Sequence, residues 1–285
     1  MTKSIFIATT EPYSGKSVVA IGLLNMLLGK TRRIGYFKPI ININPLDGKD
    51  SHIETAISYF NLDILYDDSY AYTRTQALSQ MENESQGSMM NTIIRKYKKI
   101  EEEYDFTVIE GSDFIGEGTA FEFELNLSIA KNLGSPVIVV SSGDNKTTPE
   151  IVSAVLNVLR NFQSREVQVL AVVVNKVKQE QADDVRQLLH TSFTDGTMLA
   201  VIPENKSLAS PSMKEILENL DGELLIGGER LNNEVDNFVI GAMNVPNFLN
   251  YLKENVLIIT PGDRGDMVIA AIQANLSASY PKVAG

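Results

Sequence analysis

The chain contains no cysteine, which excludes a disulfide framework and any thiolate metal site. Only two histidines are present, His52 and His190. That argues against a zinc centre, and both read as surface residues. Basic residues are in short supply, 25 against 36 acidic ones, for a formal charge of −11. A duplex-binding surface needs the opposite sign, so nucleic acid is not an expected partner. No N-terminal stretch joins a basic start to an apolar signal core, and no apolar run reaches membrane-spanning length. No membrane association is expected, and cytoplasm is the expected compartment. Internal repeats and low-complexity tracts are also missing. What remains is an ordinary globular composition, 44% hydrophobic and 21% charged over 285 residues. That length suits one large α/β domain and a smaller one.

The N-terminal stretch is the most informative. Lys3 to Thr10 reads as a strand, followed at once by Gly15-Lys16-Ser17 and by a helix carrying Val18, Val19, Ile21, Leu23, Leu24, Met26, Leu27 and Leu28. Strand, tight turn, Gly-Lys-Ser and an apolar helix is the context of a phosphate-binding P-loop. Backbone N–H groups of such a turn, with the helix N-terminus behind them, hold a phosphate. Lys16 would reach the outer phosphates, and the Ser17 hydroxyl would ligate Mg²⁺. The expected nucleotide loop comprises Thr10, Glu11, Tyr13, Ser14, Gly15, Lys16 and Ser17. Thr10 stands where the motif usually has its first glycine.

Further along, short apolar strands alternate with helical stretches: Ile34 to Phe37 ending in Lys38-Pro39, Phe106 to Ile109 closing on Glu110, Pro136 to Val140, Val167 to Val174 ending on Asn175, and Met198 to Ile202 ending on Pro203. Residues 51–104 read as mostly helical. Near-continuous apolar strands separated by helices imply parallel pairing with both faces covered. The expected fold is therefore a doubly wound, mostly parallel α/β sheet of P-loop type. Its ligands should sit at the carboxyl ends of the strands, where the P-loop, Lys38, Glu110, Asn175, Pro203 and Glu204 all fall.

Residues 1–203 thus form one expected domain and 204–211 a linker. Residues 212–285 form a smaller α/β domain, with helices over Met213 to Leu220, Pro246 to Glu254 and Arg264 to Leu276. Its expected strands are Glu223 to Ile226, Phe238 to Ala242 and Val256 to Thr260. The pattern stops at Pro281 to Gly285, where another strand is expected, so this domain reads as cut short.

Ser17, Asp50 and Glu110 offer the hard oxygens that Mg²⁺ prefers. Lys38, on a strand expected beside the P-loop strand, would neutralise a phosphate or a substrate carboxylate. Asn175-Lys176 could read a base edge. The aspartate that guanine recognition places shortly after such an asparagine is replaced by Lys178, which favours adenine, and ATP or another purine nucleotide is the expected ligand.

Thr10-Glu11 with Gly15-Lys16-Ser17, Lys38-Pro39, Asp50, Glu110-Gly111 and Asn175, in that order, resemble the dethiobiotin synthetase family of P-loop proteins. That family uses ATP and Mg²⁺ to carboxylate a diamine and close it to a cyclic urea. The resemblance implies that Ser17, Asp50 and Glu110 hold Mg²⁺, while Lys16 and Lys38 are catalytic, holding phosphates and carbamate. The chain departs from the family at Ile40-Ile41-Asn42-Ile43 and at Gly111-Ser112-Asp113-Phe114, where the substrate would sit.

A fuller resemblance spans essentially the whole chain. Glu110-Gly111-Ser112-Asp113-Phe114, the stretch from Asn126 to Gly134 with Ser135-Pro136-Val137, and Thr260-Pro261-Gly262-Asp263-Arg264-Gly265-Asp266 are similar to the N-terminal half of long bacterial phosphate acetyltransferases. The last segment resembles the signature of a DRTGG domain. The resemblance implies a Mg-nucleotide-binding regulatory and assembly region, a homo-oligomer, and a C-terminal acetyltransferase domain beyond these residues. A free-standing ATP-dependent enzyme of dethiobiotin synthetase type and a P-loop interaction module without turnover are the alternatives.

Overall fold

The structure, a computed structural model, describes residues 3–31, 33–43, 48–83, 86–112, 119–193, 196–205, 208, 210–220 and 222–285. Asp113 and Phe114 of the motif after Glu110, and linker positions Lys206, Ser207 and Ala209, lie outside the described residues. The chain divides into two compact units, Met1–Glu204 and Asn205–Gly285.

The first unit is built on seven parallel strands. They are β1 (Ser4–Thr9), β2 (Ile34–Ile41), β3 (Tyr70–Thr73), β4 (Phe106–Glu110), β5 (Val137–Ser142), β6 (Val169–Val177) and β7 (Met198–Pro203), in the order β3-β2-β4-β1-β5-β6-β7. The helices are α1 (Lys16–Leu28), α2 (Ser51–Phe60), α3 (Arg74–Asn83), α4 (Gln86–Glu103), α5 (Thr119–Leu133), α6 (Thr148–Ser164) and α7 (Ala182–Ser192). Phe6, Phe37, Val108, Val140 and Val174 are buried in the sheet, and Leu24, Ile53, Tyr97, Ile129, Val155 and Leu189 cover it from the helices. The central strands β1, β2, β4 and β5 are covered this way on both faces, which is why they read as apolar runs rather than as alternation.

Four expectations for this unit need correction. Lys38 does not lie on a strand next to β1, because β4 is inserted between β1 and β2. Residues 51–104 are mostly helical, as expected, but they also hold a strand, β3. It is too short to show a period, and it forms because β2 offers it an open edge through Lys38, Ile40 and Ile41. Strand β2 continues past Pro39 to Ile41. The Ile40 N–H donates to Ser112 Oγ at 3.1 Å, a side chain taking over where β4 has ended. Helix α1 is apolar nearly all round yet exposes Val18 and Met26, because it packs with one face only.

The second unit contains α8 (Met213–Asn219), β8 (Asn237–Ile240), α9 (Val245–Leu249), β9 (Val256–Ile259) and α10 (Gly265–Leu276). Its two strands pair in parallel. Its core consists of Val239, Phe248, Leu252, Val256, Met267 and Ala274. The strand expected over Glu223 to Ile226 is not formed, since no neighbour pairs with it among the described residues. The helix expected over Pro246 to Glu254 ends at Leu249, where Asn250 and Tyr251 form a turn. The last residues lie along β9. Val283 bridges Val256 in parallel, Ala284 N–H donates to Val256 O, and Ile258 N–H donates to Gly285 O.

Candidate functional site

The loop after β1 makes its turn with Tyr13 and Gly15 both at positive φ, 57° and 87°. Gly15 has a second constraint: a Cβ there would come within 2.2 Å of Asn175 Nδ2. Glycine is therefore required both for its left-handed backbone and for its lack of a side chain. The loop is tied internally by Thr9 Oγ1, which donates to the Glu11 carbonyl at 2.7 Å and lies 2.6 Å from Ser14 Oγ. It is braced from β6 as well. Asn175 Nδ2 donates to the Ser14 carbonyl at 2.9 Å and Lys176 Nζ to the Tyr13 carbonyl at 2.7 Å. Asn175, expected to read a base edge, gives one amide N–H to the loop. Glu11 is clamped to β5: it accepts from Lys146 Nζ at 2.6 Å and from Ser142 N–H at 3.0 Å. Thr10 Oγ1 donates to Glu11 Oε1 at 3.1 Å. Pro203 pairs with Val177, and the Glu204 N–H donates to the Val177 carbonyl at 2.8 Å.

Helix α1 opens with Lys16 and Ser17, which point to different partners. Lys16 is buried, and its ammonium donates to the Gly111 carbonyl. That carbonyl is held by a bracket of polar bonds. Asn126 Oδ1 accepts from Ser112 N–H at 2.8 Å, and Asn126 Nδ2 donates to the Ser112 carbonyl at 2.9 Å. Ser17 Oγ donates to Glu110 Oε1 at 3.1 Å.

Glu110 is fully buried. Burial alone would push its carboxyl up. The hydrogen bond from His52, and the charges of Lys38 and Lys16, outweigh that and hold it far below the usual carboxylate range. Tyr36 donates its hydroxyl to the other carboxylate oxygen. Lys38 is 2% exposed and pairs with Asp50 Oδ2 at 2.9 Å, so it is not a lysine reaching out at a sheet edge.

Asp50 caps α2. Its Oδ1 accepts from His52 N–H at 3.0 Å and from Ile53 N–H at 3.3 Å, while Oδ2 accepts from Asn42 N–H at 3.1 Å and from Lys38. A carboxylate offers about four acceptor sites, so the one expected among the Mg²⁺ ligands is engaged by the protein at all of them.

This cap also fixes the direction of the first turn of α2, and the turn carries His52 into the site. His52 Nδ1 lies 2.8 Å from Glu110 Oε1, 3.1 Å from Ser17 Oγ and 3.0 Å from Lys38 Nζ, and its Nε2 is 3.3 Å from Ser17 Oγ. The expectation of a surface histidine is corrected by these contacts, although the side chain keeps 34% exposure. Its signal in the sequence was the Asp N-cap just before it. Lys146 and Asn126 were not singled out as site residues, and Lys176 was expected only to read a base edge beside Asn175. The two lysines fall just after the carboxyl end of β5 and at that of β6, on the side where ligands bind. Lys16, Ser17, Lys38, Asp50 and His52, with the loop residues Tyr13, Ser14 and Gly15, line a cavity of about 360 Å³. Such a cavity can take an anion between two lysines, with a buried carboxylate and a hydroxyl at its base.

Residues 3–212 match the family described as an AAA domain, and residues 215–280 match the DRTGG domain. A phosphate acetyltransferase of Nitratidesulfovibrio vulgaris is 36% identical over 289 residues, covering 100% of this chain and 41% of the relative. One from Synechocystis sp. is 36% identical over 288 residues, again with 100% and 41% covered. The chain therefore spans well under half the length of these curated relatives. Among solved structures, a ParA family ATPase from Chlorobium tepidum aligns with a TM-score of 0.44 and 9% identity, over 73% of this chain and 87% of that one.

Proposed function

The chain belongs to the AAA-domain family, followed by a DRTGG domain, and on that premise we propose that it is the nucleotide-binding regulatory and assembly region of a phosphate acetyltransferase. The bound ligand is ATP or another purine nucleotide with a divalent ion. Acetyl transfer between CoA and phosphate is assigned to residues outside those described here. The observation that carries the proposal is the left-handed Gly15 turn, clamped by Asn175 and Lys176, with Lys16 and Ser17 aimed at the Glu110 end of β4. In the proposal Lys16 leaves the Gly111 carbonyl for the outer phosphates, and Lys38 supplies a second cation. The donor set fits a hard divalent ion: the Ser17 hydroxyl and the Glu110 carboxylate are adjacent, and phosphate and water would fill the remaining positions. A nucleotide site belongs where nucleotides are abundant, so cytoplasm is part of the proposal, as is self-assembly of the chain.

Calorimetric titration of Mg-ATP into the wild-type chain and into Lys16→Ala tests this reading. Binding that disappears in the variant supports it. No binding to either protein overturns nucleotide control and leaves an assembly role for the fold. Lys16 is buried, so circular dichroism must first show that the variant is folded. The chain itself should show no exchange between acetyl-CoA and phosphate, and robust exchange would overturn the assignment of acetyl transfer elsewhere.

A further inference from the structure

We propose that Tyr13 is a stacking platform for the base of the bound nucleotide, with the methylene stem of Lys176 beside it. The site then holds a nucleoside polyphosphate by the face of its base as well as by its phosphates. The inference rests on the nucleotide-binding reading above and deepens it.

Tyr13 stands where a tyrosine is unfavourable. Its φ of 57° lies in the left-handed region, where a bulky side chain is crowded and glycine or asparagine is at ease. Of the other five non-glycine residues at positive φ among the described residues, three are asparagines and none is aromatic. The ring gains no packing in return. It is 78% exposed, and no other ring stacks on it among the described residues. A backbone outlier of this kind, kept beside a ligand cavity, is an observation from which a function is inferred. The backbone that carries the ring is also fixed. Lys176 Nζ donates to the Tyr13 carbonyl at 2.7 Å, and Asn175 Nδ2 to the next carbonyl, that of Ser14, at 2.9 Å.

The sheet order says which end of a nucleotide meets this ring. Strands β4 and β2 lie on one side of β1, and β5 and β6 on the other. The groups assigned to the outer phosphates and the ion, Lys16, Ser17, Lys38 and Glu110, gather toward β4 and β2. A polyphosphate with its outer end there directs its nucleoside toward β6. Lys176 belongs to β6, Tyr13 is bonded to it, and both line the same cavity as Lys16 and Lys38. Because the Lys176 ammonium is given to the Tyr13 carbonyl, its methylenes cross from β6 to the turn and offer an apolar surface there. Stacking on an aromatic face tolerates any base, since every base has a π-face. Two fused rings cover more of that face than one. Tyr13 therefore favours purines over pyrimidines without choosing between adenine and guanine.

Calorimetric titration of the whole chain with Mg-ADP, Mg-CDP and Mg-pyrophosphate tests this. The ratio of ADP to pyrophosphate affinity should fall about tenfold in Tyr13→Gly, which removes the ring and suits the backbone. Tyr13→Phe should keep that ratio, and the preference for ADP over CDP should shrink in Tyr13→Gly alone. Tyr13 is exposed, so these variants should fold, and circular dichroism checks it. The chain has no tryptophan, so Tyr13→Trp carries a single indole. Its emission should be quenched by Mg-ADP and much less by Mg-pyrophosphate. An affinity ratio unchanged in Tyr13→Gly, or indole emission that responds alike to both ligands, overturns the platform. ADP binding that Lys16→Ala abolishes would then leave the P-loop reading standing. Wild-type protein that binds neither ADP nor pyrophosphate overturns both.

Discussion

Lys38 and Asp50 are 2% exposed in the first unit, whereas Leu225 and Ile226 of the second are 82% and 85% exposed. A naive hydrophobicity scale would exchange these positions. The difference follows from how much interior each unit encloses and from what partners it contains. A seven-stranded sheet covered by helices has room for charges, provided each meets an opposite charge or a hydrogen bond. Lys38, Asp50 and Glu110 all do. Two short strands enclose only a small core, so apolar residues beyond its capacity stay outside. Phe238 and Ile269 join Leu225 and Ile226 there.

The comparison breaks first at Phe248. Phe248→Ala should cost about 3–5 kcal/mol in a unit whose core has few other residues to lose. Limited proteolysis should then cut residues 205–285 selectively while the first unit keeps its thermal transition. Transitions that fall together would show that the two units do not unfold separately. Next comes Lys38→Met, which strands Asp50 in the interior and should cost roughly 3–5 kcal/mol. Adding Asp50→Asn should recover part of that loss in denaturant titrations. The corresponding test in the second unit is Lys214→Met, which loses only an exposed pair with Glu218 at 3.9 Å. It should shift stability by about 1 kcal/mol or less, and a larger shift would deny the contrast.

Ser212→Ala should have an effect of similar size. Ser212 Oγ accepts from Glu215 N–H at 3.2 Å to cap α8, and its loss should cost about 1 kcal/mol, confined to the second unit's transition. The smallest effect is alkaline. Burial raises the phenol of Tyr97, against hydrogen bonds with Ser4 and Ser135 and with help from the charge of Glu101. The unfolded phenol ionises near pH 10, before the folded one. This contribution to stability is therefore complete below about pH 10 and is lost as pH rises through the folded value. Tyr97→Phe should flatten the alkaline limb of the first unit's stability profile, and an unchanged limb would clear Tyr97 of that role.

The parts of the fold and site that were legible from the sequence are those whose signals are local. Gly15-Lys16-Ser17 follows its strand directly, and Glu110 closes an apolar run. Strand β3 was not legible, because four residues carry no period and its pairing depends on the distant edge of β2. The position of Lys38 relative to β1 depends on β4 entering the sheet between them, a long-range event that no local pattern records. His52 looked ordinary for the same reason. Nothing near it in sequence tells of Ser17 and Glu110, and only the cap at Asp50 hinted at where its helix begins.

The clamp of Asn175 and Lys176 on the loop carries one more consequence, in time rather than in space. A loop that orders only when its ligand arrives adds a slow closing step to capture and a loss of entropy to affinity. Here two side chains from β6 hold the turn by the carbonyls of Ser14 and Tyr13. On the proposed reading, nucleotide capture should accordingly proceed in one kinetic phase, with a rate proportional to nucleotide concentration. Cutting the clamp, as in Asn175→Ala, should add a second phase that no longer depends on it.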